Sequence, residues 1–113
     1  MDRLEQYRNL IKQQIRRYVD SFSEGVNSSV QELAVFDDEH GHYQWISLGW
    51  ENGKRSFYTH LYVRIYNGKI WIEKDTTEDG IATELVREGV PREDIVLAFH
   101  SPELRHLTEF AAA

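Results

Sequence analysis

The stretch that decides the fold is Gly68–His100, GKIWIEKDTTEDGIATELVREGVPREDIVLAFH, where one hydrophobic period gives way to another within 33 residues. Ile70 and Ile72 alternate with Lys69, Trp71 and Glu73, the period of a half-buried strand. After Asp75 the spacing becomes helical. Thr76 or Thr77 is expected to cap a helix running from about Glu78 to Glu88, with Glu78 and Asp79 in its positive first turn and Gly89 at its left-handed stop. Pro91 then opens a single turn at Arg92–Asp94, and Ile95–Phe99 (IVLAF) is apolar throughout, as in a strand buried on both faces.

Working back from Gly68, Asn67-Gly68 is the two-residue signal for a type I′ hairpin. It joins Lys69–Lys74 to Phe57–Tyr66, and two more strands precede them, Val30–Phe36 and Tyr43–Trp50. The turns are Asp37–His42 (DDEHGH) and Glu51–Arg55 (ENGKR). Alternation puts Leu61, Val63 and Ile65 on one face with Ile70 and Ile72, a core set. The other face carries His60, Tyr62, Arg64, Tyr66, Lys69, Trp71 and Glu73, more ring area than a solvated surface needs. Cover by a helix, a homodimer contact and a docking site for another protein all fit that face.

Upstream, Leu4, Tyr7, Ile11, Ile15, Tyr18 and Phe22 draw one stripe along a helix of about five turns. Ser21–Ser29 reads as its polar connector. The tail after Pro102 reads as one helical turn and an extended end. The expectation is a single α+β domain over residues 1–113: an N-terminal helix packed on a four- to five-stranded antiparallel sheet, with a second helix after the meander.

Composition narrows the function. The 113-residue chain has no cysteine, which removes thiol nucleophiles, disulfides and thiolate zinc sites. The apolar runs are short of the roughly 20 residues that span a bilayer, and the N-terminus lacks a signal-peptide core, so a cytoplasmic protein is expected. Net charge is −6. Residues 73–113 hold 10 acidic against 4 basic side chains, a poor balance for neutralising phosphates. Direct nucleic-acid binding is therefore disfavoured, leaving only a local basic face on the first helix, Arg3, Arg8, Lys12, Arg16 and Arg17.

No catalytic constellation stands out. Asp37, Asp38, Glu39, His40 and His42 include metal-ligating types, yet five polar residues around Gly41 are also what a hairpin loop contains. Glu73, Asp75, Glu78 and Asp79 gather at a strand-to-helix junction, where Asp75 and Glu78 with a histidine would make a small metal-dependent enzyme. Glu73 and Lys74 are adjacent, however, so they face opposite ways and do not form the spaced carboxylate–lysine pair of common nucleases. His60 and His100 are lone imidazoles with no Ser or Asp at a triad spacing. Neither a Walker loop nor Gly-x-Gly-x-x-Gly is present. No enzyme activity, cofactor or metal is expected. The candidate partner or dimer surface comprises His60, Tyr62, Tyr66, Trp71, Asp75, Glu78 and Arg105.

The residues also carry a resemblance. Tyr7-Arg8, His42-Tyr43-Gln44, Gly49-Trp50, Gly68–Ile72, Asp75, Thr77-Glu78, Gly80-Ile81-Ala82, Glu84-Leu85-Val86, Gly89-Val90-Pro91, Glu93–Leu97, Phe99-His100, Pro102 and Arg105 stand in an order similar to that of the XisI family. These are fdxN element excision controlling factors, known chiefly from cyanobacteria. Thr76 and Ala98 replace glycines of that pattern, and Ser101 replaces a proline. The resemblance implies an accessory or controlling factor in site-specific excision of a DNA element, acting through protein contacts with a recombinase or an XisH-like companion. As the alternative, it admits an antidote-like binding partner of a nuclease-like XisH protein with no excision role.

Overall fold

A computed structural model describes residues 2–23 and 29–113. Helix α1 spans Arg3–Ser23, followed by strands β1 (Val30–Asp37), β2 (His42–Glu51), β3 (Lys54–Tyr66) and β4 (Lys69–Asp75). Helix α2 (Ile81–Arg87), a 3₁₀ turn at Arg92–Asp94, strand β5 (Ile95–Leu97) and the short helix α3 (Pro102–Arg105) complete the chain. The five strands form one sheet in the order β1-β2-β3-β4-β5. No helix among the described residues is long and apolar enough to cross a membrane.

The architecture is the α+β arrangement the sequence predicts, with one difference in the sheet. The first three pairings are antiparallel, but β5 runs parallel to β4, with Ile70 opposite Ile95 and Ile72 opposite Leu97. The cause is the connection. Helix α2 and the 3₁₀ turn carry the chain back before β5 begins, and a strand reached through such a crossover enters parallel.

The core lies between α1, α2 and one sheet face. Tyr7, Ile11 and Ile15 of α1 meet Tyr43, Trp45, Leu61, Val63, Ile70 and Ile72 of the sheet and Ile81 and Leu85 of α2, all fully or almost fully buried. Removing one such isoleucine side chain to alanine costs about 2–5 kcal/mol, because the neighbours collapse only partly into the gap. The Tyr7 hydroxyl donates to Asp94 Oδ2 at 2.5 Å, joining α1 to the 3₁₀ turn. Burial first, then the adjacent carboxylate, raises this phenol to about 12. Ile65, expected in the core, is partly buried and packs at its margin.

Two helix boundaries move. Helix α1 continues through Ser21–Ser23, where a polar connector is expected; the rest of that connector, residues 24–28, lies outside the described residues. Helix α2 starts at Ile81, not near Glu78, and neither Thr76 nor Thr77 caps it. Asp75 supplies the acceptor instead, as described below. The β3–β4 hairpin turns at Asn67 (φ 52°) and Gly68 (φ 75°), both in the left-handed region that a type I′ turn requires. Gly49 is needed for a different reason: a Cβ there would lie 2.8 Å from Val30 Cα, so β1 and β2 approach closely only over a bare backbone.

Candidate functional site

Because α1 and α2 cover a single face, the opposite face of the sheet carries no long helix: Tyr66 is exposed there, and Tyr62, Arg64 and Trp71 are half-buried. Its β3–β4 region is a lattice of rings and guanidinium groups. Tyr66 and Trp71 meet edge to face with centroids 5.6 Å apart, and Trp71 Nε1 donates to the Tyr66 carbonyl at 3.0 Å. Arg64 lies 4.4 Å from the Tyr66 ring centroid and 5.5 Å from that of Trp71. Arg105 lies 5.4 Å from the Trp71 centroid. Each cation is held: Arg64 Nε donates to Glu73 Oε2 at 2.8 Å, and Arg105 donates to the carbonyls of His100 and Ala98 at 3.0 and 3.2 Å. Cation–ring contacts of this kind contribute about 0.5–1 kcal/mol each when exposed.

Beside this lattice, His42, Tyr62, Arg64 and Glu73 line a shallow open depression. The Tyr62 hydroxyl is 2.9 Å from His42 Nδ1. Arginine and aromatic rings fixed in advance lose little rotamer freedom when a partner arrives, which is why such residues dominate the energetic centres of protein interfaces.

The same face continues over β1 and β2, and this part was not singled out from the sequence. Tyr43, Trp45, Ser47 and Gly49 are buried, so His42, Gln44, Ile46 and Leu48 point the other way. Ile46 is opposite Leu33 and Leu48 opposite Phe57, with Phe57, Trp50 and Val35 exposed. Arg55 sits 5.7 Å from the Trp50 ring and 5.9 Å from that of Phe57. The signal was the second apolar series in HYQWISLGW, but both of its faces carry large side chains, so periodicity alone does not say which is covered.

His60 is on neither patch. Trp45 pairs with Leu61 and Ile46 with Thr59, so His60 is an extra residue in β3 and the alternation slips there. Its ring stacks on Trp45 at 4.3 Å and lies 6.2 Å from Phe22 of α1. Around it Trp45 Nε1 and Ser47 Oγ both donate to Glu32 Oε1, at 2.8 and 2.5 Å, which leaves the serine oxygen to accept from His60 Nε2 at 2.6 Å. Desolvation pushes the imidazole below its ordinary value, against the opposing pull of Glu32. Serine, histidine and glutamate thus meet, but the carboxylate binds the serine and not the far ring nitrogen that a hydrolytic triad uses to orient its base.

Asp75 and Glu78 lie at the strand-to-helix junction, apart from the rings. Asp75 Oδ1 accepts from the backbone N–H and hydroxyl of Thr77 at 2.8 and 2.5 Å, and Oδ2 accepts from Ile81 N–H at 2.7 Å. The carboxylate fastens the loop and the first turn of α2. Glu78 lines a separate open hollow with Tyr18, Thr77, Asp79 and Glu84. Of the seven candidate surface residues, the fold brings Tyr62, Tyr66, Trp71 and Arg105 together on the face away from α1 and α2 and places His60, Asp75 and Glu78 elsewhere.

The hairpin loop is similarly tied into the fold. Asp37 accepts from the His40 backbone and sits 2.8 Å from His40 Nδ1, while Asp38 accepts from Lys12 at 2.8 Å and Tyr43 at 3.0 Å. His40 and Lys12 respectively are the leading reasons both carboxyls lie below their ordinary value. Among the described residues, no three His, Asp or Glu side chains group as a metal-ligand set. On α1, Arg3 is 3.8 Å from Asp94, Lys12 is paired with Asp38, and Arg16 lies 5.1 Å from the Phe36 ring centroid.

Comparison with known proteins bears on all of this. The model of the XisI protein family matches residues 1–112. The chain belongs to the XisI family. Among solved structures, a XisI-like protein from Anabaena variabilis superposes with a TM-score of 0.90 at 34% identity, covering 98% of this chain and 100% of that one. The fdxN element excision controlling factor XisI from the same organism superposes with a TM-score of 0.86 at 41% identity, covering 99% and 100%. No curated protein matches. The family places the chain beside a factor named for controlling excision.

Proposed function

We propose that this protein is a non-catalytic, cytoplasmic controlling factor in site-specific excision of an fdxN-type DNA element, working through contacts with a recombinase or an XisH-like companion. The supporting observation is the sheet face away from α1 and α2, where Tyr62, Tyr66 and Trp71 are interleaved with Arg64 and Arg105 held by internal bonds. The carboxylates that would serve a catalytic reading are engaged otherwise, Asp75 with three donors and Asp37 and Asp38 with the hairpin and α1. Direct DNA binding is disfavoured because Arg3 and Lys12 of the basic helix face already pair with acids.

The test is co-expression with each protein in turn, followed by mass measurement of the complex. A stable complex with the recombinase or the companion, weakened about tenfold or more by Trp71→Ala, is expected, since an interface anchor of this type contributes about 2 kcal/mol or more. No complex with either protein, or binding indifferent to Trp71→Ala and Tyr66→Ala together, refutes the proposal. Phosphodiester turnover by the isolated protein refutes its non-catalytic part. The net charge of −6 favours a second reading, an antidote that binds a nuclease-like XisH. Loss of companion binding with element excision unchanged would decide for it.

A further inference from the structure

The two edges of the sheet are finished differently. Beyond β5, Ala111 bridges to Val96 and its N–H donates to the Ile95 carbonyl at 2.8 Å, while Arg105 occupies the carbonyls of Ala98 and His100. The C-terminal segment closes that side. Strand β1, at the other end of the sheet order, pairs with β2 through eight consecutive positions, Val30–Gly49 to Asp37–His42, without a register shift. Its sequence VQELAVFD contains neither proline nor lysine, and both Ala34 and Val35 are exposed. The strand's one inward charge, Glu32, is already bound by Trp45 and Ser47, and among the described residues no strand pairs with the outer side of Gln31–Asp37, which leaves that regular edge a template for another strand.

We propose that this edge pairs antiparallel with β1 of a second copy of the chain, giving a two-fold dimer with a continuous ten-stranded sheet. An axis normal to the sheet keeps each face on its own side, so opposed residues must share a face and differ by an even number. Centring the pair on Ala34 sets Ala34 against Ala34, Leu33 against Val35, Glu32 against Phe36 and Gln31 against Asp37 of the other copy. No two acids face each other, although the strand carries Glu32 and Asp37. Leu33 and Val35 extend the apolar strip of Ile46 and Leu48 across the axis. On the helix face, Glu32 of one copy is brought to the Phe36 ring of the other, beside which Arg16 already lies at 5.1 Å.

This pairing leaves the ring and guanidinium face free and displays it twice on one side of the assembly. It is an alternative to the homodimer through the aromatic face that the sequence suggested, and it stands on the edge strand without reference to the proposed function.

Ala34 is exposed and sits on the axis, which makes a charge-swap test decisive. Sedimentation velocity of the full chain is expected to give a dimer, twice 13.3 kDa. Ala34→Lys and Ala34→Glu each oppose like charges at the axis and should raise the dimer dissociation constant about fivefold or more, while an equimolar mixture of the two restores association. Circular dichroism matching the parent keeps folding and association apart. A monomer at every concentration overturns the proposal. So does a dimer that ignores both substitutions, or one that Trp71→Ala dissociates and Ala34→Lys does not.

Discussion

Replacing Asp75 by alanine removes the acceptor for three donors, the Thr77 N–H, the Thr77 hydroxyl and the Ile81 N–H, at 2.8, 2.5 and 2.7 Å. Bonds to a charged acceptor contribute about 1.5–3 kcal/mol each, but the site is part-buried and water can reach the hydroxyl, so the sum is discounted to about 3 kcal/mol. At an m-value of about 1.5 kcal/mol/M in urea, the midpoint falls by about 2 M with the slope unchanged. The melting temperature falls by about 12 °C, at roughly 4 °C per kcal/mol for a domain of this size. Asp75→Asn keeps one acceptor oxygen and should lose about half as much. Equilibrium urea unfolding followed by tryptophan fluorescence measures both. A loss below about 1 kcal/mol for Asp75→Ala would refute the capping role and return this carboxylate to the pool of groups available for chemistry.

Two further outcomes follow from the fold. His60 is held below its ordinary value of 6.5, so the unfolded chain binds the proton more readily: its contribution is present above pH 6.5 and is lost as pH falls through the folded-state value, and thermal melts of His60→Gln should show a shallower acid-side decline than the parent. An acid limb of unchanged slope would show that another group controls it. Gly49→Ala places a methyl group against Ser29 and Val30 and should cost about 2 kcal/mol or more, measured by urea midpoint; a neutral result would mean β1 does not approach β2 as closely as described.

Much of the fold was legible because local chemistry and global packing agree. The stripe from Leu4 to Tyr18 must lie on something apolar, and Asn67-Gly68 fixes the register that sets Val63 opposite Ile72 and Ile65 opposite Ile70. Helix α2 was harder. Thr77 and Glu78 look like a helix start in sequence, but the threonine hydroxyl is spent on Asp75, and the first turn waits until Ile81. The site was only half legible for a related reason. Strict alternation carries Tyr62, Arg64 and Tyr66 to one face correctly, whereas one extra residue in β3 sends His60 to the helix side, and no local signal marks that bulge.

By itself, the sequence determined the kinds and order of the elements, the core series of β3 and β4, the absence of thiol chemistry and the XisI family pattern, since all of these depend on residue types and spacings along the chain. Tertiary structure alone decided which sheet face α1 covers, that β5 enters parallel, that Asp75 is consumed as a cap, and that β1 ends the strand order among the described residues. Each of those turns on which groups, distant in sequence, compete for the same neighbour, and that competition is settled only when the chain has closed on itself.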